Sequence, residues 1–136
     1  VLANLSPDDN RDHWRSDSVE ICIDPGGHSP NTLSTFKLGI VPFNTDGLPM
    51  ASRDADAHPG PASPGIQISS RRTDHGYWVQ ANIKRSELGE LADEIGLNVI
   101  IYDVERDGSG SRLAWSPWET VQGAPRLWGR ALLKHS

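Results

Sequence analysis

The sequence is 136 residues long, 36% hydrophobic and 23% charged, with a formal net charge of −5. That length and composition fit one globular domain with its own core and exclude a disordered tail. The acidic balance, with its thirteen scattered Lys and Arg, excludes a nucleic-acid backbone as partner, and no apolar run is long enough for a membrane-spanning helix.

The chain opens at Val1 without a methionine, as expected of a mature protein or of one domain, residues 1–136, within a longer modular protein. A polar stretch, DHWRSDS, leads into the first alternating segment, where Val19, Ile21 and Ile23 interleave with Glu20, Cys22 and Asp24. Cys22 is the only cysteine, so no intrachain disulfide or multi-cysteine zinc site can form, and its apolar context predicts a buried thiol. Pro25 to Ser34 reads as a loop. Phe36, Leu38 and Ile40 then alternate with Lys37, Gly39 and Val41. Pro42 to Gly65, rich in Pro, Gly, Ser and Asp, reads as one long loop. Ile66 to Arg71 is a short strand, and Tyr77, Val79, Ala81 and Ile83 alternate with Trp78, Gln80 and Asn82 in the next. From Ser86 to Ile95 the period changes: Leu88, Leu91, Ala92 and Ile95 recur at spacings of three and four, predicting one helix between Ser86 as N-cap and Gly96 as stop. Leu97 to Ile101 alternates again, Asp103 to Ser111 is a loop, and Arg112 to Trp115 and Gly129 to Leu133 close the chain. About seven short strands punctuated by Gly and Pro predict an all-β fold, an antiparallel, jelly-roll-like β-sandwich with one short helix.

With the odd positions of the first strand in the core, Glu20 and Asp24 fall on the other surface. Lys37, Gln80, Asn82 and Arg112 occupy equivalent places on their own strands. Any sandwich has a solvated face, so the pattern alone leaves that face open between solvation and binding. Tryptophan adds to it. Of the five, Trp115 and Trp128 have strand or strand-edge contexts that suit packing, and Trp78 alternates with core residues. Trp14 and Trp118 lie at loop edges, where core packing explains them poorly. A pyranose supplies an explanation. Its C–H faces stack on aromatic rings while charged and amide side chains bond the rim of hydroxyls.

These residues carry a resemblance. The segment from Trp14 through Asp17-Ser18-Val19-Glu20 to ICID is similar to the W-x-x-D-S-V-E strand of family 9 carbohydrate-binding modules. Phe36-Lys37-Leu38, the run from Gly76-Tyr77 to Ile83, Ile95 to Val99 with Asp103, Arg112 to Ser116, and Pro125 with Trp128-Gly129 follow in the family's order. The resemblance spans roughly residues 10 to 133 and implies a non-catalytic module that binds carbohydrate at chain ends. It places Trp14 as one of two aromatics sandwiching the sugar, with Trp118 in the loop of the second. Glu20 takes the place of the hydroxyl-binding glutamate, and Lys37 and Arg112 those of rim cations. Gln80 stands where a glutamate is usual, Ile100 replaces a polar residue, and the one or two strands that begin family members ahead of Trp14 are lacking.

The expected ligand set is therefore Trp14, Glu20, Lys37, Gln80, Arg112 and Trp118. The expected partners are carbohydrate and a catalytic domain in the same or an associated chain, outside the cell or at its surface, with neither nucleic acid nor membrane as partner. Asp103, Glu105 and Asp107, with the Asp54 to Asp56 loop, offer hard oxygens suited to a structural calcium ion, or simply solvated loop charges. The five histidines are dispersed without zinc spacing and read as surface residues. Glu20, Asp17 and Asp103 are carboxylates a glycosidase could use, but no nucleophile elbow, Cys–His pairing or phosphate loop accompanies them. A spacer domain without sugar binding is the alternative. A haem-binding domain of the related DOMON type, using Met50 and His58, is a weaker one, and no haem is expected.

Overall fold

The computed structural model of the protein describes residues 1–117 and 121–134. Among the described residues there are nine strands, joined in places by single 3-10 turns: β1 Ser18–Asp24, β2 Phe36–Val41, β3 Met50–Arg53, β4 Gly60–Pro61, β5 Ile66–Thr73, β6 Gly76–Ile83, β7 Glu94–Val104, β8 Gly110–Ala114 and β9 Gly129–Leu132. All pairings are antiparallel. Seven strands make one sheet in the order β4-β3-β2-β1-β7-β8, with β9 also on β7, while β5 and β6 form a two-stranded hairpin. β8 pairs with the second half of β7 and β9 with its first four residues, so the two share one edge end to end. The fold is an antiparallel β-sandwich.

The large sheet carries apolar packing on both faces. Toward the small sheet, Ile23, Phe36, Leu38 and Ile40 meet Ile66, with Ile68, Val79, Ala81 and Ile83 packed against them. On the opposite face, Cys22, Ile100 and Tyr102 lie beneath Val121 and Trp128, which belong to the segment before β9. Strand alternation therefore separates two cores rather than a core from a solvated face. The even positions of β1 are the more deeply buried: Cys22, Glu20 and Asp24 are 0%, 4% and 1% exposed. The sequence-based expectation of an open even face is corrected on this point, because the returning C-terminal segment and the turn before β1 cover it.

Two further expectations change. The long loop from Pro42 to Gly65 contains β3 and β4, which extend the large sheet outward from β2, and Met50 is the first residue of β3. The expected helix from Ser86 to Ile95 is absent. Only Arg85–Glu87 forms a single 3-10 turn, Gly89 adopts a left-handed φ of 71°, and β7 already begins at Glu94. Leu88, Leu91 and Ile95 still reach the core between the sheets. The helical spacing marked burial, and a glycine three residues beyond Ser86 broke the helix that would have used it.

Candidate functional site

Immediately before β1, His13–Arg15 forms a 3-10 turn that packs across β1, β2 and β7. Gly39, in the middle of β2, lies directly below the His13 ring, and a Cβ there would stand 2.6 Å from the ring's Cγ. The missing side chain lets the ring settle onto the sheet. Ser18 Oγ then fixes the turn by donating to the His13 carbonyl at 2.7 Å. His13 is 3% exposed, with Nε2 2.8 Å from Glu20 Oε2 and with Nδ1 buried and unbonded.

Glu20 is the hub of this floor. Lys37 Nζ lies 3.3 Å from its Oε1, the Cys22 thiol donates to the same oxygen at 3.3 Å, and the Tyr102 hydroxyl lies 3.4 Å from Oε2. Burial alone would raise the Glu20 pKa, but the His13 hydrogen bond and the Lys37 charge outweigh it and hold the carboxyl at about 2. Burial, followed by the nearby Glu20 charge, pushes Tyr102 up to about 12 and the Cys22 thiol well above its usual value. Both remain protonated donors toward the carboxylate.

Above the floor opens a cleft of about 250 Å³, lined by His13, Trp14, Glu20, Lys37, Asp54, Tyr102 and Gln122, with Gly39 at its base. Trp14 follows the buried histidine on the same turn and is 46% exposed. Asp54 reaches the rim from the end of β3. Its loop is tied down by the buried pair of Arg53 Nε and Asp56 Oδ2 at 2.7 Å, and Asp56 also accepts from the Lys37 backbone at 2.8 Å. Ala55, between them, takes a left-handed φ of 50°. Gln122 arrives from the C-terminal segment, where the Trp128 indole donates to the Val121 carbonyl at 2.5 Å. The Gln122 amide donates to the Tyr102 hydroxyl at 2.5 Å, and Arg112 donates to its oxygen. A second depression, lined by Arg112 and the β7–β8 turn, shares Trp14 and Tyr102 with the first. The assembly offers one apolar ring, an acidic acceptor, an amide and two cations around a concave surface, which suits a small polyhydroxylated ring.

Of the residues expected to bind ligand, Trp14, Glu20 and Lys37 share the cleft and Arg112 adjoins it. Gln80 does not. It projects from the outer face of β6, exposed, with its amide donating to Asn82 Oδ1 at 3.1 Å. Trp118 lies outside the described residues. Glu20 and Lys37 are buried partners of each other rather than open rim groups. Ile100, 0% exposed, is a core residue and not a lost ligand contact. Trp115, expected to pack, is 59% exposed. His13 is buried where a surface residue was expected, while His28, His58 and His75 are exposed; His135 lies outside the described residues.

Asp103 and Glu105 are exposed on the β7–β8 side, and Asp107 accepts from Ser109 N and Oγ within its own turn. Among the described residues no group of three or more His, Cys, Asp or Glu side chains could hold a metal ion. The sequence pattern does not single out Tyr102 or Gln122, reads His13 as a surface histidine and groups Asp54 with the loop carboxylates, yet all four line the cleft. Nothing in the pattern around Gln122 marks it, because its position depends on a long-range return of the chain.

Comparisons with known proteins bear on the fold and the family. The family model described as carbohydrate family 9 binding domain-like matches residues 2–136. A carbohydrate-binding module of family 9 from Caldicellulosiruptor kristjanssonii, solved in complex with glucose, superposes with a TM-score of 0.68. The two are 15% identical, and the alignment covers 98% of this chain and 67% of that one. No curated protein matches the chain significantly.

Proposed function

Because the chain belongs to the carbohydrate family 9 binding domain-like family, we propose that it binds the terminal sugar of an oligo- or polysaccharide without transforming it. The observation that carries this reading is Trp14, a half-exposed ring standing over a cleft whose remaining lining is polar. The ring would stack on one face of a pyranose, while Asp54, Gln122 and Arg112 would bond its hydroxyls. Glu20 and Lys37 would act from below, where a preformed charge network orders the floor before ligand arrives. A single exposed ring beside a cleft of about 250 Å³ suits one terminal residue better than a run of chain.

The binding reading is supported over a catalytic one by the carboxylates. Glu20 and Asp54 are the two that line the cleft among the described residues. Retaining or inverting hydrolysis needs one carboxylic acid to donate a proton. Glu20, held at about 2, is ionised at any working pH and already engaged on both oxygens. The family and the cleft also fit an accessory module of a secreted glycan-active protein, with its catalytic domain elsewhere.

The test is calorimetric titration with glucose, xylose, galactose, cellobiose and xylobiose, with and without calcium, on the native protein and on Trp14→Ala. Saturable binding that weakens at least about tenfold in the variant, the loss of about 1.4 kcal/mol, is the expected result. The variant's melting temperature should hardly move, since the ring is a surface group. Absence of heat with every sugar would leave a spacer domain as the better description.

A further inference from the structure

The β5–β6 hairpin turns Ile66, Ile68, Val79, Ala81 and Ile83 inward onto the large sheet. Alternation therefore sends Gln67, Ser69 and Arg71 of β5 and Trp78, Gln80 and Asn82 of β6 outward, and all six are exposed. The antiparallel register sets them in rows across the two strands: Arg71 opposite Trp78, Ser69 opposite Gln80, and Gln67 opposite Asn82. Rows two residues apart stand about 7 Å from one another, so the strip runs for about 14 Å. It lies on the far side of the sandwich from the cleft.

The composition of this strip is not that of an ordinary solvated face. The chain holds 18 Asp and Glu against 13 Lys and Arg, yet neither β5 nor β6 contains a carboxylate. Arg71 stands in the first row. Lys84, exposed, follows Asn82 in the same phase beyond the last row. Among the described residues neither cation has an ion-pair partner. The Arg71 guanidinium lies 5.6 Å from the centre of the Trp78 ring, and the ring is still 42% exposed. Gln80 and Asn82 bond each other, and the side chains of Gln67 and Ser69 have no partner among the described residues. A large aromatic ring, an uncompensated cation and unused amide and hydroxyl groups are thus held in register on one flat surface.

These groups select an occupant. An indole face takes the C–H face of a pyranose, and amides and hydroxyls in successive rows exchange hydrogen bonds with ring hydroxyls. The guanidinium, lacking a carboxylate of its own, forms paired hydrogen bonds with one from outside. A strip of this length suits several linked sugars rather than one ring. A single-stranded nucleic acid fits less well, because it asks for several stacking rings and a continuous cationic track, whereas here one ring stands with cations only at the two ends. A protein partner would want several apolar anchors, and Trp78 is the single one on the strip. We propose that the outer face of the β5–β6 hairpin binds an acidic polysaccharide, an extended chain of pyranoses bearing carboxylates, with one sugar ring on Trp78 and a carboxylate on Arg71. This second surface is independent of the cleft and of what the cleft binds.

Calorimetric titration of the Trp14→Ala variant, in which the cleft is silenced, tests it with an oligogalacturonate, a neutral cello-oligosaccharide of equal length, polyglutamate and an oligothymidylate. The oligogalacturonate should bind at least about tenfold more tightly than the neutral sugar, and more weakly as salt rises. Adding Trp78→Ala or Arg71→Gln should each cut that affinity about fivefold or more. In the otherwise native protein both changes should leave cellobiose titration as it was and hardly move the melting temperature, since both side chains are exposed. Failure of the cleft reading would appear instead as no cellobiose binding in the native protein, with the oligogalacturonate result untouched. No binding of oligogalacturonate, or binding indifferent to Trp78 and Arg71, would overturn the proposal. So would equal or tighter binding of polyglutamate or oligothymidylate, which would assign the face to another class of partner.

Discussion

Glu20 shows what the cleft demands of a single residue. Its carboxylate is 4% exposed and takes contacts from His13, Lys37, Cys22 and Tyr102. A folded-state pKa of about 2 against an ordinary 4.5 means that folding favours the charged form. The resulting stabilisation is fully present above pH 4.5 and is lost as pH falls toward 2. A shift of that size corresponds to on the order of 3 kcal/mol. Glu20→Gln should therefore be less stable at neutral pH by about that amount, and its stability should vary less than the native protein's between pH 4.5 and pH 2. Urea unfolding at several pH values reads both effects. An unchanged pH profile would mean that the carboxylate is not the group titrating. From sequence, Glu20 was legible as polar and strand-borne. Its burial was not, because the covering histidine comes from a turn whose geometry depends on Gly39, more than twenty residues away in the chain.

Among the elements, β2 makes that dependence physical. A Cβ at Gly39 would press on His13 Cγ and Cε1 at 2.6 and 2.7 Å, and an aromatic ring cannot yield as a flexible chain end can. Gly39→Ala should lift the His13–Arg15 turn, break the His13–Glu20 bond and cost roughly 1–3 kcal/mol, in the range of overpacked cores. Thermal unfolding measures the cost, and the imidazole resonances of His13 report whether the ring has left Glu20. Resonances that stay in place would show that the strand, not the turn, absorbs the insertion. The strands themselves were largely legible, since the period-2 runs at β1, β2, β5, β6, β7, β8 and β9 all fall within observed strands or their ends. What failed were segments where local pattern and tertiary use diverge. Leu88, Leu91 and Ile95 have helical spacing but pack from an irregular segment. Gln80 and Glu20 look equivalent along their strands yet belong to different sheets. Alternation assigns two sides to a strand; it does not say which sheet the strand joins.

At the scale of the whole molecule, the large sheet separates two tasks. One face, built on Phe36, Leu38 and Ile40, holds the small sheet. The other, built on Cys22, Ile100 and Tyr102, holds the C-terminal segment that carries Gln122 to the cleft. Leu38 and Ile100 are both 0% exposed, on opposite faces of neighbouring parts of that sheet. Truncating either to Ala removes comparable apolar volume, and each should cost about 2–5 kcal/mol in a domain that unfolds as one unit. Their effects on sugar binding should differ. Leu38→Ala loosens the packing between the sheets, away from the ligand, and should leave affinity within about twofold at temperatures where the protein is still folded. Ile100→Ala undermines Tyr102 and Val121, so Gln122 loses its fixed position; one neutral hydrogen bond, about 0.5–1.5 kcal/mol, corresponds to roughly a two- to tenfold loss of affinity. Calorimetric titration beside a denaturant curve for each variant separates the two outcomes. Equal loss in both would mean that affinity follows global stability and that the two faces are coupled through the sheet. Loss in Ile100→Ala alone would mean that the C-terminal segment and the cleft form one functional unit on a scaffold whose other face serves only to fold.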